Sequence, residues 1–388
     1  MKKIAVFTGS RADYFLLIDL MRKIKSSKNL KLQLIVSGSH LCDKFGNSWK
    51  QIVLDGFHIN EKVDILLAGD TPSTVIQILS NGLVGFKKAL KKLSPDYLLI
   101  LGDRSEAFCI AQVALFLNIK IVHLHGGELS EGSYDDTIRH CLTKMAQIHF
   151  PICDLYKKRI IQMGENPKNV FNYGSLGVER ILNKNFLSKK ELKKLINFNF
   201  DDPYFVVCYH NATNSMENSE LTLKNIFKSL EKFRKYKIFV SYPNHDNGND
   251  KIIKLLESYE IQKGKKVFLS KYVLDDHFIS VLKNSEAIIG NSSSGIIEAP
   301  SLKIPTVNVG NRQKGRLRAK SVIDCVGTLK SIDFAVKKAI SKEFKDSLIN
   351  FRSPFERKLT SLNIVKELEK YDDHSRNSFY DLEVGMVN

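Results

Sequence analysis

The chain has 388 residues, 43% hydrophobic and 26% charged, which reads as a soluble globular protein long enough for two domains. The formal net charge is +17, yet the lysines fall on polar helix faces such as Lys87-Lys88 and Lys91-Lys92, with no helix-turn-helix, zinc-finger or RNA-recognition signature beside them, so nucleic acid is not the expected partner. No apolar run approaches the roughly 18–20 residues of a bilayer span, and Arg11 and Asp13 interrupt the apolar start too early for a secretory leader, so a cytoplasmic protein with no membrane partner is expected.

In chain order, residues 4–7 read as a strand, followed by the loop Thr8-Gly9-Ser10-Arg11-Ala12-Asp13-Tyr14 and an amphipathic helix to about Lys25. Residues 32–37 read as a second strand, 38–68 as less regular, and 73–92 as a helix with Val75, Ile78, Leu79, Leu83 and Phe86 on one face. Strand 97–101 ends in Gly102-Asp103-Arg104-Ser105-Glu106, helix 107–117 follows, and strand 119–124 ends in His125-Gly126-Gly127-Glu128. A helix over 136–147 and strands at 149–153 and 170–173 complete this half, and 177–203 reads as a helical, lysine-rich connection. The pattern then restarts. Strand 205–209 ends in His210-Asn211-Ala212-Thr213 and strand 237–242 in Pro243-Asn244-His245-Asp246, with further strands at 267–269, 287–289 and 306–309. Residues 356–371 read as an amphipathic helix and 372–388 as loosely ordered or partner-dependent.

Strands separated by 10–20-residue helical segments imply right-handed crossovers, hence an α/β fold of two doubly wound parallel sheets facing a cleft. The expected division is 1–176, 177–355 and a terminal segment 356–388. Ligands of such sheets bind beyond the carboxyl ends of the strands, where the polar clusters fall.

The most distinctive of these clusters is Gly290-Asn291-Ser292-Ser293-Ser294-Gly295-Ile296-Ile297-Glu298, read as a strand–loop–helix turn with the helix beginning at Ile296. Unpaired backbone N–H groups at a positive helix end, with serine hydroxyls beside them, suit a phosphate or diphosphate. Glu298, one turn into that helix, would suit ribose hydroxyls, although a serine N-cap on an ordinary crossover helix accounts for the serines equally well. The next strand opens a second cationic loop, Asn311-Arg312-Gln313-Lys314-Gly315-Arg316, whose guanidinium forks match phosphate geometry. Asp103, Glu106, Glu128 and the pair Asp135-Asp136, with Arg104 and Arg139 beside them, suit general acid/base work, although Asp135 or Asp136 could merely cap a helix.

Neither Gly-x-Gly nor a phosphate-loop signature occurs, which argues against a dehydrogenase or a nucleotide triphosphatase. His123-x-His125 shares a strand face, but no third ligand stands at a natural spacing, so no metal and no cofactor is expected. The six scattered cysteines form no Cys-x-x-Cys pair and read as free thiols.

Six of these stretches, namely Thr8–Tyr14, Leu101-Gly102-Asp103-Arg104, His123–Glu128, Asp135-Asp136-Thr137-Ile138-Arg139-His140, Gly290–Glu298 and Gly310–Arg316, together resemble the hydrolysing UDP-N-acetylglucosamine 2-epimerases. The match runs over about residues 4–318 in the family's order and spacing. It implies the glycosyltransferase-B architecture, two Rossmann-like domains with the C-terminal helix returning to the first, and a homodimer or homotetramer acting on a UDP-sugar. Carried over by motif, Arg11, Ser292 and Ser293 would hold the diphosphate with His210 opposite, Glu298 the ribose, and Arg312 would lie near the nucleotide; Arg104, Asn244, Ser294, Gly295 and Arg316 join this binding set. Asp103, Glu128 and Asp136 match the acid/base carboxylates, with Asp135, Arg139 and His210 grouped with them. The pair Asp135-Asp136 stands where the family often has Asp-Glu, and His210-Asn211 where His-Pro is common. The implied reaction is C2 deprotonation, loss of UDP and hydration of a glycal, yielding N-acetylmannosamine. The same chemistry on a UDP-2,4-diacetamido-2,4,6-trideoxyhexose, or a retaining glycosyltransferase of the same fold, are the alternatives.

Overall fold

A computed structural model describes all residues except 44–45, 67–70, 132–133, 212–217, 243–248, 271–274, 372–377 and 383–388. The chain forms two compact α/β units. Unit 1 comprises Met1–Glu128, Tyr134–Glu179 and Arg357–Asn388; unit 2 comprises Arg180–Glu356 together with the short segment Leu129–Ser133.

The unit 1 sheet contains β1 (Lys2–Thr8), β2 (Leu30–Ser37), β3 (Glu61–Val63), β4 (Tyr97–Leu101), β5 (Lys120–Leu124) and β6 (Ile148–Phe150), in the order β3-β2-β1-β4-β5-β6. Unit 2 holds β7 (Tyr204–Cys208), β8 (Lys237–Ser241), β9 (Val267–Ser270), β10 (Ala287–Gly290), β11 (Thr306–Val309) and β12 (Val322–Cys325), in the order β12-β11-β10-β7-β8-β9. Every pairing is parallel. Counted within its own unit, each sheet has the same 3-2-1-4-5-6 order, the Rossmann arrangement. The strands are continuous apolar runs because helices cover both faces. Tyr97–Leu101 and Tyr204–Cys208 are buried at every position.

Each unit has an apolar layer on either side of its sheet. In unit 1, Ile4, Val6, Leu17, Met21 and Leu99 pack on one face, and Ala5, Phe7, Phe86, Leu98 and Ile110 on the other. In unit 2, Val207, Leu223, Ile289 and Val336 lie on one face, opposite Val206, Phe200, Ile288 and Leu302. Fully burying one such side chain contributes about 1.5–3 kcal/mol. The helix Thr360–Lys370 closes unit 1: Ile364, Val365 and Leu368 enter its core and the Ser361 N–H bonds Glu179 at 2.9 Å.

Several local expectations change. The stretch 38–68 is more regular than its sequence suggests, with a 3-10 turn Gly38–Leu41, a helix Trp49–Leu54 and the edge strand β3. Residues 170–173 form no strand and keep a single bridge, His149 to Val170, while 149–153 shortens to β6. The connection 177–203 is two short helices, Leu176–Leu182 and Lys189–Leu195, the second started by a Ser188/Glu191 capping box. The edge strand β12 has no counterpart in the sequence reading. Of the tail, 378–382 is described and docks on unit 1, where the Tyr380 N–H bonds the Gly164 carbonyl at 2.9 Å.

Candidate active site

In a doubly wound sheet, the helices after the first and fourth strands lie on opposite faces and leave a crevice at the point where strand order reverses. That point is β1/β4 in unit 1 and β7/β10 in unit 2. Arg11 follows β1, and Asp103 and Arg104 follow β4; His210 follows β7, and Asn291 to Ser294 follow β10. The strand beside each switch point supplies the rest: β5 leads to Glu128, and β11 to Arg312 and Arg316.

The unit 1 group is built on Arg139, which lies on the helix Tyr134–Met145 and is 2% exposed. Its guanidinium bonds the Asp103 carboxylate and donates to the Glu128 carbonyl at 3.0 Å, and Asp136 stands 3.8 Å away. Helical spacing explains the Asp136 contact, since residues three apart share a face. Asp136 also approaches His140 Nε2 at 3.6 Å. Both Asp135 and Asp136 lie in the first helical turn, where the dipole favours carboxylates.

Glu128 itself is buried, and His125 Nδ1 lies 2.9 Å from its Oε1. The turn before it is tight: Gly127 has φ +77°, and a Cβ there would meet the Tyr156 carbonyl at 2.4 Å. Arg159 holds the same turn, donating to the Gly127 carbonyl at 3.1 Å.

Around the β1/β4 crevice, Ser10 caps the helix Arg11–Ser26 and Asp13 Oδ2 accepts from the Gly9 N–H at 3.3 Å. Burial raises the Asp13 carboxyl above its ordinary range. Arg104 pairs with Glu106 at 3.4 Å. Burial opposes the Glu106 charge, but the Arg104 guanidinium and hydrogen bonds outweigh it and hold this carboxyl below its usual value.

The unit 2 group is built on Asn291. Its side chain brackets the His210 backbone, accepting from the N–H at 2.8 Å and donating to the carbonyl at 2.9 Å. The Asn291 carbonyl accepts from Arg312 Nη1 at 3.0 Å and Gln313 Nε2 at 2.8 Å, and Gln313 Oε1 accepts from Arg316 at 2.9 Å. His210, Asn291 and the cationic loop are thus one network. Burial, with Arg312 nearby, lowers the His210 pKa to about 3, so its ring is neutral at ordinary pH.

The serine turn differs from its expected form. Its helix begins at Ser293 and ends after four residues at Ile296, and Glu298 starts a separate 3-10 turn, Ala299–Leu302. Pro300 explains the break: it has no N–H to donate and disfavours helix at Ala299. The Ser292 hydroxyl accepts from the Ser294 N–H at 3.3 Å, so the capping reading of this serine holds locally, and the three serines remain partly exposed. Gly295 is a packing position, since a Cβ there would lie 2.7 Å from Thr306 Cγ2.

Asn244 lies outside the described residues, as do Ala212 and Thr213. His123 and His125 do not share a strand face: His123 is within β5, and His125 follows it in a left-handed conformation. Among the described residues, no group of three His, Cys, Asp or Glu side chains could hold a metal ion. All six cysteines are free thiols. Asn291 and Gln313, the organisers of the unit 2 network, carry no distinguishing signal in the sequence: both are polar residues on a strand-end loop, and only burial separates them from loop surface.

Two Rossmann-ordered sheets carrying polar groups at their switch points define an α/β protein of the glycosyltransferase-B type. The UDP-N-acetylglucosamine 2-epimerase family model matches residues 22–369, and the chain belongs to that family. It is 38% identical over 346 residues to the GDP/UDP-N,N'-diacetylbacillosamine 2-epimerase (hydrolyzing) of Campylobacter jejuni, covering 89% of each chain. It is 34% identical to the polysialic acid biosynthesis protein P7 of Escherichia coli, covering 98% of each. Among solved structures, the UDP-GlcNAc 2-epimerase from Neisseria meningitidis bound to UDP-GlcNAc aligns with a TM-score of 0.81 at 18% identity, covering 96% of this chain and 100% of that one, a likeness of fold. No helix among the described residues is long and apolar enough to cross a membrane.

Proposed function

We propose that this protein is a hydrolysing 2-epimerase that converts UDP-N-acetylglucosamine to N-acetylmannosamine and UDP. The observation that carries the reading is the gathering of Asp103, Asp136 and the Glu128 turn on one buried guanidinium, that of Arg139. Inverting C2 by elimination and hydration needs one group to remove the C2 proton and another to return a proton from the opposite face. Carboxylates in surroundings of unequal polarity can hold those two states at one pH, and here Glu128 is buried while Asp103 and Asp136 are partly exposed.

In this mechanism a carboxylate takes the C2 proton, and the C1–O bond breaks with its electron pair passing to the departing UDP. Water then adds at C1 of the glycal while a carboxylic acid protonates C2. The C2–H is a weak acid, so the diphosphate must be stabilised as its charge develops. Arg11, Arg104, Ser292, Ser293, Ser294, Arg312 and Arg316 are assigned that task, with Asn244 and the Gly295 turn in the same binding set. Removing one preorganised donor of this kind costs about 10²–10³ in rate. His210, being neutral, would serve as an N–H donor and not as a cation. Glu298 is assigned to the ribose hydroxyls.

A second reading, the same reaction on a UDP-2,4-diacetamido-2,4,6-trideoxyhexose, is favoured by identity: 38% to the relative named for diacetylbacillosamine against 30% to the Neisseria meningitidis UDP-N-acetylglucosamine 2-epimerase. Incubating the protein with each sugar nucleotide, without an acceptor, tests both. Release of UDP with a free reducing sugar supports the reaction, and the larger kcat/KM names the sugar. Sugar transfer only when an acceptor is supplied would instead indicate a glycosyltransferase.

A further inference from the structure

The turn His125-Gly126-Gly127-Glu128 contains two left-handed residues, Gly127 at φ +77° and His125 at φ +63°. Glycine adopts that region freely, whereas a residue with a Cβ is strained there. The His125 backbone is held in it by its N–H bond to the Phe150 carbonyl, 3.1 Å away on β6. A strained non-glycine residue beside a buried carboxylate points from geometry toward function.

The ring's own hydrogen bonds sharpen the point. His40 is a fully buried histidine satisfied at both nitrogens, by Thr8 at 2.9 Å and Ser48 at 2.7 Å. His123 is likewise satisfied at both, by the Gly102 carbonyl at 2.8 Å and Thr143 at 3.2 Å. These are core histidines. His125 bonds the Glu128 carboxylate through Nδ1 at 2.9 Å, and its buried Nε2 has no hydrogen-bond partner. The one hydrogen bond of this side chain therefore goes to Glu128. In the tautomer protonated at Nδ1 the ring donates to the carboxylate. A hydrogen bond to a carboxylate adds geometric specificity and fixes the acceptor's orientation.

We infer that His125 is a positioning residue for Glu128: its ring aims the buried carboxylate through the Nδ1–Oε1 bond, and the left-handed backbone at His125 accompanies that placement. The inference rests on the acid/base role proposed for Glu128, but its structural half can be read without turnover.

Two substitutions separate positioning from mere packing. His125→Gly removes the ring and relieves the backbone strain, which offsets the lost bond, so the variant should remain folded. His125→Asn keeps a side-chain N–H near the position of Nδ1 and tolerates the left-handed region. On the sugar nucleotide that the parent turns over, His125→Gly should lower kcat about 10- to 100-fold, as loss of an orienting partner typically does, with little change in KM. His125→Asn should recover most of that loss. Unchanged kcat in His125→Gly, or equal losses in the two variants, would overturn the assignment. A double-mutant cycle of His125→Gly with Glu128→Met, which removes both carboxylate oxygens at similar volume, read by urea unfolding, should show a coupling of about tenfold in the folding equilibrium constant. Additivity in that cycle would refute the pairing in any circumstance. Were the parent to release no UDP, the proposed activity would fall and this cycle would still decide the pairing.

Discussion

Arg139 donates to the backbone carbonyl of Glu128 at 3.0 Å while the same guanidinium grips the Asp103 carboxylate. A buried side chain from one helix thereby fixes the distance between the ends of β4 and β5, the two strands that carry these carboxylates.

Removing that link should be costly. Arg139→Met keeps much of the side-chain volume but takes the guanidinium from the partly buried Asp103 carboxylate, and losing a hydrogen bond to a charged group typically costs about 1.5–3 kcal/mol. Urea unfolding should show a loss of that size, and Asp103→Asn should restore part of it in the Arg139→Met background. A loss below about 1 kcal/mol would mean that the guanidinium does not organise this end of the sheet.

Two glycines with almost the same backbone conformation separate strain from crowding. At Gly102, φ is +76° and a Cβ would meet nothing within 4 Å, so Gly102→Ala should cost only the left-handed strain, about 1–2 kcal/mol. At Gly127, φ is +77° but the Cβ would strike the Tyr156 carbonyl at 2.4 Å. Gly127→Ala should therefore be the more destabilising, and equal losses would remove the steric argument for that turn.

Acid should weaken the fold through buried histidines. Burial lowers the pKa to about 4 for His40 and to about 3 for His123 and His210. In the unfolded chain each takes up a proton near pH 6.5, so between pH 6.5 and about 3 to 4 the unfolded state binds more protons and stability falls as pH falls. Each such histidine contributes a slope approaching about 1.4 kcal/mol per pH unit in that window. His210→Asn should flatten the stability profile between pH 6.5 and 5 by close to one histidine's worth. A parallel profile would mean that His210 titrates normally in the folded protein.

Asn291 should matter beyond its own size. Asn291→Ala leaves the buried N–H and carbonyl of His210 without their partners, at a cost of about 1–3 kcal/mol for an unsatisfied group. Because the Asn291 carbonyl also receives Arg312 and Gln313, calorimetry should show weaker UDP binding in a variant that remains folded at 20 °C. Undiminished UDP affinity would separate this network from nucleotide recognition.

The strands and their polar ends are legible because continuous apolar runs such as Tyr-Leu-Leu-Ile-Leu stop abruptly at glycine-bearing turns, a signal written within a few adjacent residues. What links those ends was not legible. His210 and Asn291 lie 81 residues apart, and Asp103 and Arg139 lie 36 apart; such pairings follow from sheet order, which local pattern does not encode. The edge strands β3 and β12 are hidden for a different reason: the exposed, charged Lys62 and Asp324 break the apolar run that marks buried strands. The helix expected from Ile296 gives way to a 3-10 turn at Pro300, a stop signal that stands in the sequence itself.

The account is tested most directly by turnover in D₂O. If C2 deprotonation accompanies loss of UDP and a carboxylic acid reprotonates C2 afterwards, each sugar released should carry one deuterium at C2, seen by mass spectrometry and by loss of the C2 proton signal in NMR. Replacing Asp103, Glu128 or Asp136 by its amide should reduce that turnover by about 10²–10⁴-fold while UDP still binds. Sugar released with C2 fully protiated, however rapidly UDP is formed, would contradict the epimerase mechanism.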